Sequence, residues 1–441
     1  MEIRDAILGA GMTGLAAGIA SYLPVYEANE VPGGICSSYY MQPGSNTRLY
    51  TAPEDDEAYR FEIGGGHWLH SGDSIILRFI RSFTPVKSYL RKSAVYLPGR
   101  DLLIPYPIQY NLRYLGSKLA AQALQGIFEG AKSGQPTTTM SEWLRRTFGP
   151  TLCELFFDPF HELYTAGLWN KIAAPYDGKT PMNLELAIQG AFGEVPAVGY
   201  NVNFVYPKYG LNTLAQRMGL ECDVRYRKRV VKIDRKDKLI YFEDGEMLPY
   251  RYILSTLPLN QMIEMTDLDI DQKADPYVSV LVINLGAVKG RLAPEAHWVY
   301  VPRSEAGFHR VGFYSNVDTS FLPASSRKNK MRVSIYVEKS YPGGQRPNED
   351  AIRSLCRRVV DELQEWEWIT EAEVVDPTWI DVAYTWSWPG SKWVEKALIA
   401  LESHDIHQMG RYATWASGWK SQGIVESIRK GLTAYSGEVV R

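Results

Sequence analysis

The sequence lacks the features that mark several large classes of protein. Its 441 residues include only four cysteines, none in a CxxC spacing, which argues against a zinc site or a disulfide framework. The 48 Lys and Arg residues nearly balance the 50 Asp and Glu residues, so the basic excess typical of nucleic-acid binders is missing. The longest apolar stretch, residues 278–288, is far shorter than the ~18–20 residues that cross a bilayer.

These shortages lead to several expectations. The first residues carry charges where an export signal needs an apolar core, so we predict a cytoplasmic protein. We expect no membrane span, no nucleic-acid partner and no metal ion, and a small molecule as the substrate. What the sequence does have in excess is aromatic residues, with 12 Trp and 28 Tyr. Composition alone does not decide whether they fill cores or line a pocket for flat ligands.

The first thirty residues predict a dinucleotide-binding unit. A short apolar run at 6–8 leads into a GxGxxG segment, formed by Gly9, Gly11 and Gly14, and a helix-like stretch follows. In such a unit the glycines allow a tight turn, close approach of a pyrophosphate, and packing of helix on strand. Glu27 then lies 18 residues after Gly9, close to the spacing expected for a carboxylate that binds ribose hydroxyls. An acid there fits FAD or NAD rather than NADP.

Two further segments resemble a particular flavoprotein group. A second glycine pair, Gly33 and Gly34, follows Glu27 closely. Near the other end of the chain, residues 409–415 precede the segment QGIV at 422–425. Both segments are similar to motifs of the group that includes amine oxidases, protoporphyrinogen oxidase and UDP-galactopyranose mutase. The resemblance implies that FAD is the cofactor and that the first and last parts of the chain meet around it.

Four internal segments narrow the resemblance to the eukaryotic type of UDP-galactopyranose mutase. They are IGGGHWLH at 63–70, IPYPIQYN at 104–111, FVYPKYG at 204–210 and FHRVGFYSN at 308–316, in the same order as in that family. The resemblance implies an intramolecular transferase that runs on reduced FAD. In that reaction the flavin N5 forms a bond to the sugar, and pyranose and furanose forms of a nucleotide-activated or otherwise modified sugar interconvert.

The resemblance also assigns roles residue by residue. His67 and Arg310 take the catalytic positions. With the fingerprint residues, the cofactor contacts are Gly9, Gly11, Gly14, Glu27, Gly33, Gly34, Gly65, Gly66, His67, Arg411, Gly423 and Ile424. The expected substrate contacts are Arg310, Asn316, Tyr106, Trp388, Trp415 and Ser417. At two of these positions the family has a tyrosine for the diphosphate, whereas this chain has Trp388 and Ser417. A second diphosphate arginine is also missing, because the segment at 183–204 contains no arginine.

Residue patterns predict an α/β protein with three parts. A Rossmann-like, discontinuous FAD-binding domain is expected at 1–80, 200–256 and 396–441. Helical spacing of apolar residues places a helical insertion domain at 81–199. Alternating, β-rich runs place an antiparallel-sheet substrate domain at 257–395.

Three functions remain open on the sequence. The first is the mutase described above. The second is an FAD-dependent oxidase or desaturase of the amine-oxidase group, favoured by the missing diphosphate tyrosines and the aromatic C-terminal third. The third is a flavin-binding scaffold without turnover. Oligomeric state is not readable, although eukaryotic-type mutases are often oligomeric.

Overall fold

The computed structural model of the chain describes residues 4–70, 72–132, 136–174, 182–198, 202–416 and 423–434. Within these residues the strands, in chain order, are β1 (Arg4–Leu8), β2 (Val25–Tyr26), β3 (Ser38–Met41), β4 (Tyr59–Glu62), β5 (Val86–Leu90), β6 (Ser93–Leu97), β7 (Leu102–Pro105), β8 (Asn203–Pro207), β9 (Val224–Arg225), β10 (Val230–Asp234), β11 (Leu239–Phe242), β12 (Met247–Ser255), β13 (Tyr277–Lys289), β14 (Trp298–Tyr300), β15 (Arg310–Phe313), β16 (Arg332–Pro342), β17 (Ile369–Thr385) and β18 (Ile406–Gln408).

The α-helices of the same residues are α1 (Met12–Ser21), α2 (Ser74–Phe83), α3 (Ser117–Lys132), α4 (Met140–Leu152), α5 (Asp158–Tyr164), α6 (Leu184–Phe192), α7 (Leu211–Leu220), α8 (Leu259–Met265), α9 (Tyr314–Val317), α10 (Glu349–Glu365), α11 (Trp393–Glu402) and α12 (Ile424–Thr433). A single π-helical turn, Cys153–Phe157, joins α4 to α5.

The first sheet carries the glycine-rich turn. Its strand order is β10-β11-β12-β1-β2-β9, and β18 also pairs with β12. Strand β1 is parallel to both β12 and β2, and its Ala6, Ile7 and Leu8 are fully buried, as expected for a strand covered on both faces. Helix α1 packs closely on α12, because a Cβ on Gly431 would lie 2.3 Å from the Thr13 carbonyl oxygen. The first and last parts of the chain therefore meet.

The second sheet has the strand order β17-β13-β16-β15-β14-β6-β7. Alternate residues of each strand point to opposite faces. On β16, Ile335 and Val337 pack in a core that also contains apolar residues of α10. Tyr336 and Glu338, one position along, line a cavity on the other face. One face of this sheet is thus a core, and the other is one wall of the candidate site.

Residues 93–105 correct the prediction of a mostly helical segment at 81–199. They form β6 and β7, and β6 pairs in parallel with β14, so both strands extend the second sheet. Residues 86–90 also form a strand, β5, which pairs with β8. A five-residue run such as β6, buried along its whole length, is too short for periodicity to distinguish a strand from a helix. Helices α3 to α6 do occupy the later part of the segment; the three-domain division itself stays a prediction.

Candidate active site

A cavity of about 600 Å³ lies where the two sheets and the helical segment meet. Its wall contains residues from the glycine-rich turn after β1, from the open face of the second sheet, and from α4, α5 and the π-helical turn. It therefore brings together the two ends of the sequence, from Gly9 to Ser427. One end of the wall is mostly backbone, and the other is mostly side chains.

The glycine-rich turn has the space and the free donors that a dinucleotide phosphate requires. A Cβ on Gly14 would lie 1.9 Å from the Gly9 carbonyl oxygen, so only glycine lets α1 pack this closely on the turn. A Cβ on Gly11, by contrast, would meet nothing within 4 Å, because that position faces open space. Gly11 is also the N-cap of α1, and no side chain caps its first N–H groups. These N–H groups and the helix dipole suit an anionic group.

Glu27 lies at the same end of the cavity and is only 5% exposed. Its two carboxylate oxygens accept hydrogen bonds from the backbone N–H groups of Ala10 (2.7 Å) and Asn29 (2.9 Å). These two bonds fix the orientation of the carboxylate, which keeps further lone pairs for ribose hydroxyls. The role of Glu27 toward a ribose stays a prediction.

The remaining predicted cofactor residues lie around this turn. Gly33 has φ +106° and donates its N–H to the Ala10 carbonyl oxygen at 2.8 Å, and Gly34 follows at φ +55°. Gly423 is the N-cap of α12, again without a side-chain cap, and Ile424 begins that helix. These four residues line the cavity, as do Gly9, Gly11, Gly66, His67 and Arg411.

Gly14 and Gly65 do not line the cavity themselves, but both contact residues that do. Gly14 packs against Gly9, as described above. Gly65, with φ +80°, lies over the second sheet, and a Cβ there would be 2.9 Å from Glu338 Oε1. Its neighbour Gly66 lies against Tyr336, whose hydroxyl would be 2.3 Å from a Cβ at that position. The loop at 63–70 therefore needs glycines to rest directly on the side chains of β16.

His67, at the end of these glycines, is held as a neutral imidazole. Its Nδ1 lies 3.1 Å from the Gly65 carbonyl oxygen, which can only accept, so the ring proton is on Nδ1. Burial lowers the pKa of His67, and the nearby Arg411 lowers it further, although the bond to Gly65 opposes both effects. Nε2 is then a hydrogen-bond acceptor at neutral pH. Burial likewise lowers the pKa of His70, to about 4.

Arg310 faces the cavity from β15. The antiparallel register pairs Arg310 directly with Glu338 on β16. Its Nη2 donates to both carboxylate oxygens of Glu338, at 2.5 Å to Oε1, and to the Tyr384 hydroxyl at 3.0 Å. Glu338 is 2% exposed. Burial alone would raise the pKa of its carboxyl group, but the Arg310 guanidinium outweighs burial and holds that pKa below its ordinary range.

Arg411 is the second cation of the cavity wall. Its guanidinium carbon lies 5.8 Å from the ring centroids of both Tyr384 and Tyr412. Burial would lower the pKa of Arg411, but the neighbouring tyrosines raise it overall, so the group stays charged. With the histidines neutral, the charged side chains of the lining are Glu27, Arg310, Glu338 and Arg411. Their charges cancel.

Several site residues were not predicted from the sequence. The structure adds Glu338, His309, Tyr164, Tyr300, Tyr336, Tyr384 and Tyr412 to the cavity wall, beside the predicted Tyr106. The tyrosines supply phenol groups that the sequence analysis found missing at the two family positions. A usable signal existed on β16, where Tyr336 and Glu338 are two residues apart and so share a face. Nothing in the sequence showed which face of that strand the cavity occupies.

The structure does not bring three of the predicted substrate residues to the cavity. Asn316 donates from Nδ2 to the carbonyl oxygens of residues 294 and 296, both at 2.8 Å, and so holds a loop. The Trp388 indole donates to the Ala274 carbonyl oxygen at 2.9 Å and lies under the Lys273 ammonium group. Trp415 is 2% exposed because it packs against Trp393 in a core. The roles of these three residues as substrate contacts therefore stay predictions. Ser417 lies outside the described residues.

The cavity wall also contains polar atoms that have no partner within the described part of the chain. They include the buried indole N–H groups of Trp68, Trp298 and Trp386, and Nε of Arg310. A buried donor without an acceptor is costly, so such atoms usually await a ligand or a water molecule. Their concentration around one cavity fits a site that binds a large polar ligand.

Two negative findings apply to the described residues. No helix among them is long and apolar enough to cross a membrane. No group of three or more His, Cys, Asp or Glu side chains among them is arranged to hold a metal ion.

The fold and the cavity together are those of a dinucleotide-binding enzyme. Strands from both ends of the chain, β1 and β18, belong to the first sheet, which carries the glycine-rich turn. Residues 17–286, more than half of the chain, match the profile of the flavin containing amine oxidoreductases. The chain therefore belongs to this family of flavoenzymes. Family membership confirms the expectation of a flavin cofactor in general terms.

Known structures confirm the predicted fold. A crystal structure of reduced UDP-galactopyranose mutase is similar to the whole chain, with a TM-score of 0.83 and 21% identity over 100% of this chain and 94% of that one. Putrescine oxidase with bound putrescine matches with a TM-score of 0.58 and 16% identity over all of both chains. A fatty acid isomerase from P. acnes that produces CLA matches with a TM-score of 0.58 and 15% identity over 99% of both chains. The α/β fold of a mutase-like flavoprotein is thus confirmed.

Proposed function

We propose that the protein is a mutase that uses reduced FAD to interconvert the pyranose and furanose forms of an activated or otherwise modified sugar. The observation that carries the proposal is the position of Arg310. It faces the cavity that also contains the glycine-rich turn, and it lies beside the histidine loop. The similarity to a reduced UDP-galactopyranose mutase, which covers the whole chain, supports the same function.

The residues at the backbone end fit FAD. The open space at Gly11 and the uncapped starts of α1 and α12 suit its diphosphate, and the Glu27 carboxylate suits its ribose. Reduced FAD would supply a nucleophile to the anomeric carbon of the sugar, which is the chemistry the side chains here do not provide.

The side chains at the other end have binding and orienting tasks. Arg310 binds the leaving group, because it is the cation that faces the cavity from the second sheet. Glu338 and Tyr384 hold one edge of its guanidinium through Nη2, which leaves Nε, unpartnered among the described residues, for a ligand. A charge held in a fixed position costs no rearrangement when negative charge develops on the leaving group. The phenols of Tyr300 and Tyr384 offer further hydrogen bonds to that group or to the sugar.

The decisive experiment measures the isomerisation directly. Purified protein loaded with FAD is reduced with dithionite and incubated with UDP-galactopyranose, and in parallel with GDP- and dTDP-hexoses. We expect one of these sugars to give a ring-contracted product, separable by chromatography, with reduced but not oxidised enzyme. The Arg310→Lys variant should retain flavin and lose most turnover, because lysine lacks the planar fork that binds phosphate oxygens. Absence of product from every sugar, with flavin fully reduced, contradicts the proposal.

A second candidate, an oxidase or desaturase, is favoured by one specific observation. Much of the wall beyond Arg310 is hydrocarbon, and Arg310 itself is neutralised by Glu338. Such a wall suits an apolar substrate that is oxidised by the flavin. Oxygen consumption with a panel of amines and porphyrinogens tests it, and turnover there without any sugar isomerisation would replace the mutase proposal.

A further inference from the structure

The proposed substrate and the cavity do not match in charge. An activated sugar carries an anionic leaving group, whereas Arg310 is paired with Glu338 and the charged side chains of the lining sum to zero. Taking an anion out of water into a neutral, buried site is costly unless a cation accompanies it. A neutral base in the wall becomes such a cation when it takes up a proton as the anion enters.

The bases available for this are the described histidines that line the cavity, His67, His70, His161 and His309. The first three each have a hydrogen bond to a backbone group. His309 differs from them, because it is 1% exposed and both its ring nitrogens are buried without a hydrogen-bond partner among the described residues. Two unsatisfied polar atoms on one buried ring are costly, so this is the histidine that gains most from a new partner.

His309 is fixed beside the ion pair of Arg310 and Glu338. It directly precedes Arg310, and its backbone N–H donates to the Glu338 carbonyl oxygen at 3.0 Å. Its own carbonyl oxygen accepts from the Val301 N–H at 2.9 Å. In the ring, Nε2 lies 3.6 Å from Oε2 of Glu338. That distance is longer than a hydrogen bond, but it is short enough for a strong charge interaction once the ring carries a proton.

The other groups that face this ring bring little charge. Phe160 and Tyr164 of α5 have ring centroids 6.0 and 5.3 Å from that of His309. On β16, Lys339 is a further cation, but its ammonium group donates to two backbone carbonyl oxygens, both at 3.0 Å. The carboxylate of Glu338 is therefore the only anion with a printed interaction with His309 in the described part of the chain.

Without an anion in the cavity the ring of His309 is neutral near pH 7. Burial lowers the pKa of His309, Arg310 and Lys339 lower it further, and Glu338 opposes them. A negative charge that arrives at Arg310 acts in the same direction as Glu338 and favours the protonated ring. The protonated ring then shares the charge of Glu338, which is no longer spent on Arg310 alone.

We infer that His309 is a positioning residue that takes up one proton when an anionic leaving group binds at Arg310, so that His309 pairs with Glu338 and Arg310 is free to hold the ligand. The proton comes from bulk water, binds a lone pair of the imidazole, and returns to water when the ligand leaves. The inference rests on the proposed function, because it takes the ligand to be a sugar with an anionic leaving group. It requires only binding, and no isomerisation.

Binding of nucleotide sugars at several pH values tests the inference. Protein with oxidised FAD, which should leave the sugar unchanged, is titrated with UDP-galactopyranose, and in parallel with GDP- and dTDP-hexoses, between pH 6 and pH 8. The diphosphate of these sugars does not change its charge in this range, so pH acts on the protein. We expect at least one sugar to bind about tenfold more tightly at pH 6 than at pH 8. Calorimetry in two buffers of different ionisation enthalpy should show proton uptake.

A second measurement assigns the proton without any variant. Exchange of the imidazole C2 hydrogen for deuterium, read by mass spectrometry, gives the pKa of each histidine separately. We expect the pKa of His309 to rise when the sugar binds. His161 is the internal control, because it lines the same cavity but its Nδ1 is held by the Phe157 carbonyl oxygen at 2.7 Å. Its pKa should change less.

Variants test the two partners. His309→Gln keeps a polar side chain that does not titrate, so its affinity should be the same at pH 6 and pH 8. Glu338→Gln leaves Arg310 without its anion, so it should bind more tightly than wild type at pH 8 and depend less on pH. The matched control is His297→Gln, since His297 is 4% exposed and lies outside the cavity lining. It should keep the pH dependence of wild type.

Bound flavin and the thermal unfolding temperature identify a misfolded variant, in which case the pKa of His309 in wild type decides. The inference is overturned if no sugar binds at pH 6, if affinity does not change with pH, or if the pKa of His309 stays the same on binding. A folded His309→Gln variant that keeps the pH dependence also overturns it. Isomerisation by the reduced enzyme without proton uptake contradicts this inference alone, whereas proton uptake without isomerisation contradicts the proposed function alone.

Discussion

At the dinucleotide end of the cavity the wall is mostly backbone, whereas at the Arg310 end it consists of side chains. Gly11 and Gly423 present the N–H groups at the starts of α1 and α12, which come from opposite ends of the chain. Arg310, Glu338 and Tyr384 come instead from three strands of one sheet, and each holds the next by hydrogen bonds. The first arrangement has no room for an added atom at Gly14, and the second depends on the presence of each hydrogen-bond partner. Four predictions test this contrast, in order of decreasing effect.

Gly14→Val should have the largest effect. Its Cβ would lie 1.9 Å from the Gly9 carbonyl oxygen, so α1 must move away from the turn, at a cost of about 3 kcal/mol or more. We expect loss of bound FAD, seen in the absorbance spectrum, and a lower unfolding temperature. Gly99→Val is the control, because a Cβ there meets nothing within 4 Å. A Gly14→Val protein that purifies with full flavin would show that the turn is less constrained than its packing indicates.

Arg310→Met should destabilise the protein because a partner is removed, whereas Gly14→Val adds atoms where there is no room. It leaves the Glu338 carboxylate buried without its cation, which typically costs about 3–5 kcal/mol in the free energy of unfolding. Denaturant unfolding measures this loss. The double variant Arg310→Met/Glu338→Gln should recover most of the stability but none of the proposed turnover. If the single variant is as stable as wild type, the ion pair is not what holds this end of the cavity together.

The same pair predicts how stability depends on pH. The pKa of Glu338 is lowered in the folded state, so its contribution is present above the ordinary carboxyl pKa of about 4 and is lost as the pH falls below it. Between pH 6 and pH 3 the wild type should lose about 1–3 kcal/mol more than Glu338→Gln, which has no group to titrate. Denaturant unfolding at each pH gives both curves. Parallel curves would mean that folding next to Arg310 does not lower the pKa of Glu338.

Glu27→Gln should have the smallest of the four effects. The amide keeps one acceptor oxygen. It loses the negative charge that strengthens the hydrogen bonds donated by the N–H groups of Ala10 and Asn29. We expect the affinity for FAD to fall about tenfold, as for one weakened charge-assisted hydrogen bond. Titration of the flavin-free protein measures it. Glu30→Gln is the control, because Glu30 forms an exposed ion pair with Arg227, and it should leave the affinity unchanged.

The sequence was informative about the backbone end of the site and less so about the side-chain end. Glycine spacing and the position of Glu27 depend on local geometry, so a contiguous segment was enough to predict them. Arg310 was found through its family resemblance, but Glu338 lies 28 residues away and meets it only through strand register. Trp388 and Trp415 were predicted as substrate contacts through the family resemblance. In the folded chain the Trp388 indole donates to the Ala274 carbonyl oxygen and Trp415 packs in a core, which the sequence did not show.

Short strands also limited what could be predicted from the sequence. Residues 93–97 were grouped with a helical segment because a five-residue buried run carries no usable period. Long elements such as α10 and β13 differ in this respect, because a clear period or a sustained apolar run extends over more than ten residues in each.

The parallel pairing of β6 with β14 determines how this protein can be recombined with its relatives. Helices α3 to α6 follow β7, which lies at the edge of the second sheet. In an exchange of segments between relatives, that edge should therefore move together with the helices. A chimaera that swaps residues 93–192 carries that edge with it, whereas one that starts at residue 111 joins foreign helices to a native edge. The first kind of crossover should give folded hybrids more often, and it would transfer the α4–α5 part of the cavity wall as one unit.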